Sequence, residues 1–155
     1  MLTKFFKKKT TEVYQPIEGK LIPLQEVSDS VFSQKLMGDG FAIEPQSEEL
    51  YSPIKGIVKS IFPTKHALIV ESDVGIKVLI HIGIDTVELA GEGIEVLVEE
   101  GQRVDQNTLM ARINLAFIRK KGKSTDILIV FPEIKNQALD FELTGKTYLL
   151  ATLEC

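Results

Sequence analysis

The sequence predicts an all-β fold, an antiparallel β-sandwich or barrel with a few short helices. Three observations point there: apolar residues fall in short runs, Pro, Gly, Asn and Asp punctuate those runs, and no long stretch keeps a clean 3.6-residue period. In order, the runs read as strands over 20–24, 41–45, 56–60, 67–71, 76–82, 95–98, 110–113, 127–131 and 148–153. The first and third each follow a Pro-x-x-Gly turn, Pro16 to Gly19 and Pro53 to Gly56. Proline presets φ at the start of such a turn, and glycine accepts the positive φ that can close it. Residues 67–71 and 76–82 flank Ser72-Asp73-Val74-Gly75, the pattern of a hairpin. Helical spacing is confined to 33–37, 85–90 and 115–121.

The two Pro-x-x-Gly segments echo one another. So do the stretches Val104-Asp105-Gln106-Asn107-Thr108-Leu109 and Leu143-Thr144-Gly145-Lys146-Thr147-Tyr148, where Asn107 and Gly145 suit comparable left-handed turn positions. These echoes predict a duplicated hybrid β-motif inside one domain. No Gly-, Ser- or Pro-rich linker divides the 155 residues, a length that suits a single core. The expected organisation is a flexible tail over 1–14 and one domain over 15–155.

Composition narrows the function classes. Hydrophobic residues make up 44% and charged residues 26%, a globular balance without an apolar run long enough to cross a bilayer. A net charge of −4 argues against nucleic-acid binding, which favours concentrated Lys and Arg. Cys155 is the one cysteine, so neither a disulfide framework nor a thiolate metal cluster is expected, and a reducing compartment fits. The opening Met1-Leu2-Thr3-Lys4-Phe5-Phe6-Lys7-Lys8-Lys9 lacks the apolar core and cleavage site of a signal peptide. The expectation is a cytoplasmic protein; whether it is free-standing or a piece once fused to permease domains stays open, the starting methionine favouring the first. At most, the basic tail would touch an anionic membrane transiently.

Chemistry centres on the two histidines, His66 and His81. A turn symmetric about Asp73 and Val74 would set them opposite each other, with Leu68, Val70 and Leu79 as an apolar floor on the same face. A one-residue change of register would separate them. Paired imidazoles could serve a metal, acid-base catalysis or phosphoryl transfer. Catalytic zinc normally takes three protein ligands, and only carboxylates such as Asp85 could complete the set here. No Ser or Cys nucleophile carries a recognisable signature. Phosphoryl transfer asks less, because a neutral imidazole is a competent nucleophile and its neighbour can donate to the phosphoryl oxygens.

The stretch Val78-Leu79-Ile80-His81-Ile82-Gly83-Ile84-Asp85-Thr86-Val87-Glu88-Leu89, with Gly91-Glu92-Gly93 and Glu100-Gly101-Gln102-Arg103-Val104 after it, resembles the glucose-type enzyme IIA proteins of the phosphoenolpyruvate-dependent sugar phosphotransferase system. Val31-Phe32-Ser33-Gln34-Lys35-Leu36-Met37-Gly38-Asp39-Gly40 and Phe62-Pro63-Thr64-Lys65-His66-Ala67 extend the likeness, which covers residues 16–153. The resemblance implies that His81 takes the phosphoryl group on Nε2, that His66 steadies it, and that Thr64 orients His66. It implies that Asp85, which alone would read as a helix N-cap, meets an arginine of the donor, with Asp29 doing the same from the rim. Val31, Phe32, Leu36, Met37, Phe62, Leu79 and Val87 match the family's apolar ring around the histidines.

The implied donor is the phosphocarrier protein HPr and the implied acceptor the cysteine of a sugar-specific enzyme IIB domain, with regulatory protein targets in some relatives. No cofactor or metal is implied. Cys155 is expected to be incidental rather than that acceptor. Two other readings stay open on the residues. A zinc peptidase of the lysostaphin type would need a His-x-His pair, and a biotinyl or lipoyl carrier would need a lysine where Gln106 and Asn107 stand.

Overall fold

The computed structural model describes residues 10–134 and 149–154. Its strands are β1 (Thr10–Tyr14), β2 (Gly19–Pro23), β3 (Asp39–Pro45), β4 (Glu49–Tyr51), β5 (Gly56–Ile61), β6 (Ala67–Ser72), β7 (Lys77–Ile84), β8 (Ile94–Val96), β9 (Arg103–Val104), β10 (Leu109–Ile113), β11 (Ser124–Phe131) and β12 (Leu149–Glu154). Two short helices, α1 (Ser30–Ser33) and α2 (Leu115–Lys120), interrupt them. An all-β fold is what the structure shows.

The main sheet has seven strands in the order β2-β3-β11-β7-β6-β5-β9, and β4-β10-β8 forms a second sheet. Every described pairing is antiparallel. Alternation along the strands sends Phe41, Ile43, Leu68, Val70, Val78, Ile80, Ile82, Ile127, Ile129 and Phe131 into one core, where they meet Leu50, Met110 and Ile113 of the smaller sheet. The opposite face carries a second cluster, in which Ala42, Ala67, Leu79, Leu128 and Val130 pack with Leu24, Val27 and Phe32.

Several expectations need correction. The tail was expected to run to Tyr14, but Thr10–Tyr14 forms a strand paired with β12. Inward-facing Val13 and the buried Thr11, whose hydroxyl donates to Ser72 Oγ at 2.9 Å, hold it there. The helix expected over 33–37 starts earlier, as α1, because the Asp29 carboxylate accepts from the Val31 and Phe32 amides at 2.8 and 3.2 Å. Lys35, at φ 58°, lies in the left-handed region just beyond that helix. The expected helix over 85–90 is a single 3-10 turn, Thr86–Leu89, flanked by left-handed Asp85 and Ala90. Asp85 occupies the N-cap position but its side chain makes no capping bond there. Only α2 matches its expected span closely, capped by Asn114 Oδ1, which accepts from the Phe117 amide at 3.0 Å.

The paired glycines begin strands as expected; Gly19 takes the expected positive φ, 156°, Gly56 does not, and both share a further constraint. A Cβ on Gly19 would lie 2.1 Å from the Glu44 carbonyl oxygen, and one on Gly56 would lie 2.0 Å from that of Glu71. Close approach of the neighbouring strand requires glycine at both places. Asn107 is not left-handed. Its turn is built instead by Asp105 Oδ1, which accepts from the Asn107 amide at 2.8 Å, while Gly145 lies outside the described residues.

Candidate functional site

The register of the β6–β7 hairpin differs from the expected one by a single residue. Ala67, not His66, stands opposite His81, and Leu68 stands opposite Ile80. The cause is the turn. Ser72 accepts from Gly75 and donates to Ile76, which closes a three-residue loop with Gly75 at φ 90° in the left-handed position that such loops use. Leu68 and Val70 therefore point into the main core, away from His81, and only Leu79 of the expected floor shares its face.

Strict alternation would then put the two imidazoles on opposite sides of the sheet. They meet nonetheless, with ring centroids 5.1 Å apart and planes at 77°. His66 lies just before β6, in the bend that follows left-handed Lys65 at φ 61°. The turn 62–66 frees its side chain from the pleat. The His66 carbonyl still accepts from the Ile82 amide at 2.7 Å, so the bend is pinned to the strand that carries His81.

Each ring is also held at Nδ1. His81 Nδ1 lies 2.6 Å from the Gly83 carbonyl oxygen, a group that can only accept, so Nδ1 bears the proton and Nε2 the lone pair. His66 Nδ1 shares a hydrogen bond of 2.5 Å with Thr64 Oγ1. The Gly83 carbonyl was not anticipated from sequence. Its signal is a glycine two residues beyond the histidine, at φ 75°, where a Cβ would come within 2.7 Å of the Ser124 carbonyl oxygen. This left-handed residue coincides with a break in the β7–β11 register and turns its carbonyl back to the ring.

Aromatic edges complete the floor. The Phe32 ring lies 5.1 Å from His81, and Phe62 meets His66 edge-on at 5.4 Å. Val31, Leu36, Met37 and Val87, 42%, 62%, 42% and 48% exposed, are four of the five exposed large hydrophobics among the described residues. Val31 adjoins Phe32 in α1, the Leu36 amide donates to the Val31 carbonyl at 3.1 Å, and Val87 lies in the 3-10 turn that follows β7. Phe32 and Leu79 are buried and Phe62 half-buried, unlike the four exposed side chains.

Electrostatics favour neutral imidazoles. Burial, the largest cause, pushes the His81 pKa below its ordinary 6.5, and the neighbouring His66 pushes the same way. The Gly83 carbonyl and the charges of Asp29 and Asp85 act in the opposite sense, favouring positive charge on the ring. Burial alone lowers His66. Asp29 thus caps α1 and contributes negative potential at His81 together. Among the described residues, no group of three or more His, Cys, Asp or Glu side chains is placed to hold a metal ion.

Comparison with known proteins is now decisive. The family described as "phosphoenolpyruvate-dependent sugar phosphotransferase system, EIIA 1" matches residues 11–137. The chain belongs to this family. It is 46% identical over 129 residues to the "PTS system glucose-specific EIICBA component" of Streptococcus pneumoniae serotype 4, a match that covers 83% of this chain and 18% of that much longer protein. In three dimensions it is similar to "glucose permease IIA from Mycoplasma capricolum", with a TM-score of 0.84, 34% identity, and coverage of 95% of this chain and 97% of the other. By family it is an EIIA domain of the phosphoenolpyruvate-dependent sugar phosphotransferase system. Among the described residues, no helix is long and apolar enough to cross a membrane.

Proposed function

We propose that this EIIA domain carries the phosphoryl group on Nε2 of His81, receiving it from the phosphohistidine of HPr and passing it to the cysteine of a sugar-specific EIIB domain. One observation supports this most strongly: two imidazoles in contact, each hydrogen-bonded at Nδ1, beside the rings of Phe32 and Phe62. With Nδ1–H donated to Gly83, the Nε2 lone pair is the nucleophile. It forms the new N–P bond as the donor's N–P bond breaks, and that bond's electron pair returns to the donor ring. No proton need change hands.

His66 is the bracing group. The Thr64 hydroxyl donates to its Nδ1, leaving a proton on Nε2 for the phosphoryl oxygens, where a fixed donor offsets charge spread over the equatorial positions. The phosphorylated His81 ring gains positive character, which the Gly83 carbonyl, Asp29 and Asp85 all favour. The same two carboxylates suit an arginine beside the partner's own phosphorylated residue. Onward transfer reverses the first step, with the EIIB thiolate attacking phosphorus and Nε2 recovering its lone pair. The apolar ring limits water at a hydrolysable phosphoramidate and gives a partner a small apolar patch with a charged border. Exchange with HPr and EIIB would take place in the cytoplasm.

The test is labelling. Incubation with phosphoenolpyruvate, enzyme I and HPr should give an acid-labile, alkali-stable phosphate, absent from His81→Ala. A label that persists in that variant, or no label on the native chain, would overturn the reading.

A further inference from the structure

The connector from α1 to β3 holds an ion pair between Lys35, whose side chain is 34% exposed, and a buried Asp39. Lys35 Nζ lies 3.1 Å from Asp39 Oδ1, and the Asp39 side chain is only 3% exposed. Oδ1 also accepts from the Gly40 amide at 2.8 Å, while Oδ2 finds no hydrogen-bond partner among the described residues. A buried carboxylate satisfied on one oxygen is costly, and a hydrophobic residue would be cheaper there if packing were the only requirement. Lys35 adds further strain as a non-glycine residue at positive φ.

What the pair encloses is the more telling fact. Between Lys35 and Asp39 lie Leu36 and Met37, the two neighbouring members of the exposed apolar rim. The chain immediately beyond is wedged against β11: a Cβ on Gly38 would lie 2.4 Å from the Phe131 carbonyl oxygen, and one on Gly40 would lie 1.9 Å from that of Ile129. β11 also pairs with β7, which carries His81. The ion pair therefore ties the apolar turn to the start of β3, which pairs with β11, the neighbour of the histidine strand.

We propose that Lys35 and Asp39 are a positioning pair for partner docking, a latch that holds the turn presenting Leu36 and Met37 fixed against α1, whose Phe32 ring touches His81. This rests on the phosphocarrier reading above and adds residues that touch neither phosphate nor imidazole.

Two measurements test it. Amide hydrogen exchange reads the latch without any donor protein: in Lys35→Met, the Leu36 and Gly38 amides, bonded to Val31 and Lys35 carbonyls at 3.1 Å, should exchange about tenfold faster or more, while those of β7 stay as they were. The neutral double variant Lys35→Met, Asp39→Asn guards against a fold lost to a stranded charge and should show the same local change. Steady-state transfer from phosphorylated HPr then reads docking, with KM raised roughly threefold to tenfold at unchanged kcat and restored by Lys35→Arg. Unchanged exchange in the turn, or equal loosening throughout β7, would overturn the latch. A native KM, or a fall in kcat alone, would overturn its docking role. If the native chain accepts no phosphoryl group, the functional reading fails instead, and the exchange result still decides whether the latch exists.

Discussion

The two faces of β7 are put to different uses. Val78, Ile80 and Ile82 point one way and are sealed in a core between two sheets. Leu79 and His81 point the other way, where Phe32 of α1 packs against them and its neighbour Val31 faces solvent. One strand thus serves stability on its even positions and chemistry on its odd ones. The lesson is that a period of two lets a single backbone satisfy both demands without compromise, because side chains on opposite faces scarcely interact.

That separation can be attacked directly. His81→Ala should abolish labelling while leaving thermal unfolding near that of the native chain, since its ring adds little to the main core. Ile80→Ala, one residue away, should do the reverse. It should cost about 2 to 5 kcal/mol in denaturant unfolding, yet the fraction still folded should be labelled at the native rate. If Ile80→Ala lost transfer faster than it lost folded protein, the two faces would be coupled and the comparison would fail.

How much of this was legible beforehand depends on which interactions are local. The strands 41–45, 67–71 and 127–131 announce themselves because both faces are buried and their runs are apolar almost without break. The histidine contact was legible only through an incorrect route. Treating Ser72 to Gly75 as an even turn overlooked Gly75, whose left-handed φ adds a loop residue and shifts the register. The bend at Lys65 then brings His66 back to the same side, and nothing about a lysine in sequence signals positive φ. α1 could have been found from Asp29 as a cap, followed by a short apolar pair. The short strands β4 and β9 could not, because two or three residues carry no period and exist through their neighbours.

Within the site, the two histidines form a second and finer comparison. His66→Gln keeps a donor but not its fixed geometry, so acceptance by His81 should persist in part while onward transfer slows by about 100-fold. Single-turnover mixing with an EIIB domain would measure this, and full activity in both steps would refute the bracing role. Thr64→Val should have a milder effect in the same direction. Losing one net hydrogen bond is worth about 1 kcal/mol, or a factor of about five in the population of the useful tautomer. Nitrogen chemical shifts of the His66 ring would show whether the proton has moved to Nδ1.

The smallest effect expected is that of pH, and its smallness is informative. A histidine titrating at 6.5 would lose half its neutral form at that pH, whereas burial holds His81 lower. Acceptance should therefore change by less than a factor of about two between pH 8 and 6.5, falling steeply only below. The stability linkage has the same sign. In the window between the lowered folded value and 6.5, the unfolded chain binds more protons than the folded one, so stability rises with pH there and is lost as pH falls through it. Asp29→Asn should widen that window downward, because its charge favours the protonated ring and removing it lowers the pKa further. A rate profile with its midpoint at or above 6.5 would mean that water reaches His81 far more freely than the apolar cover around it implies.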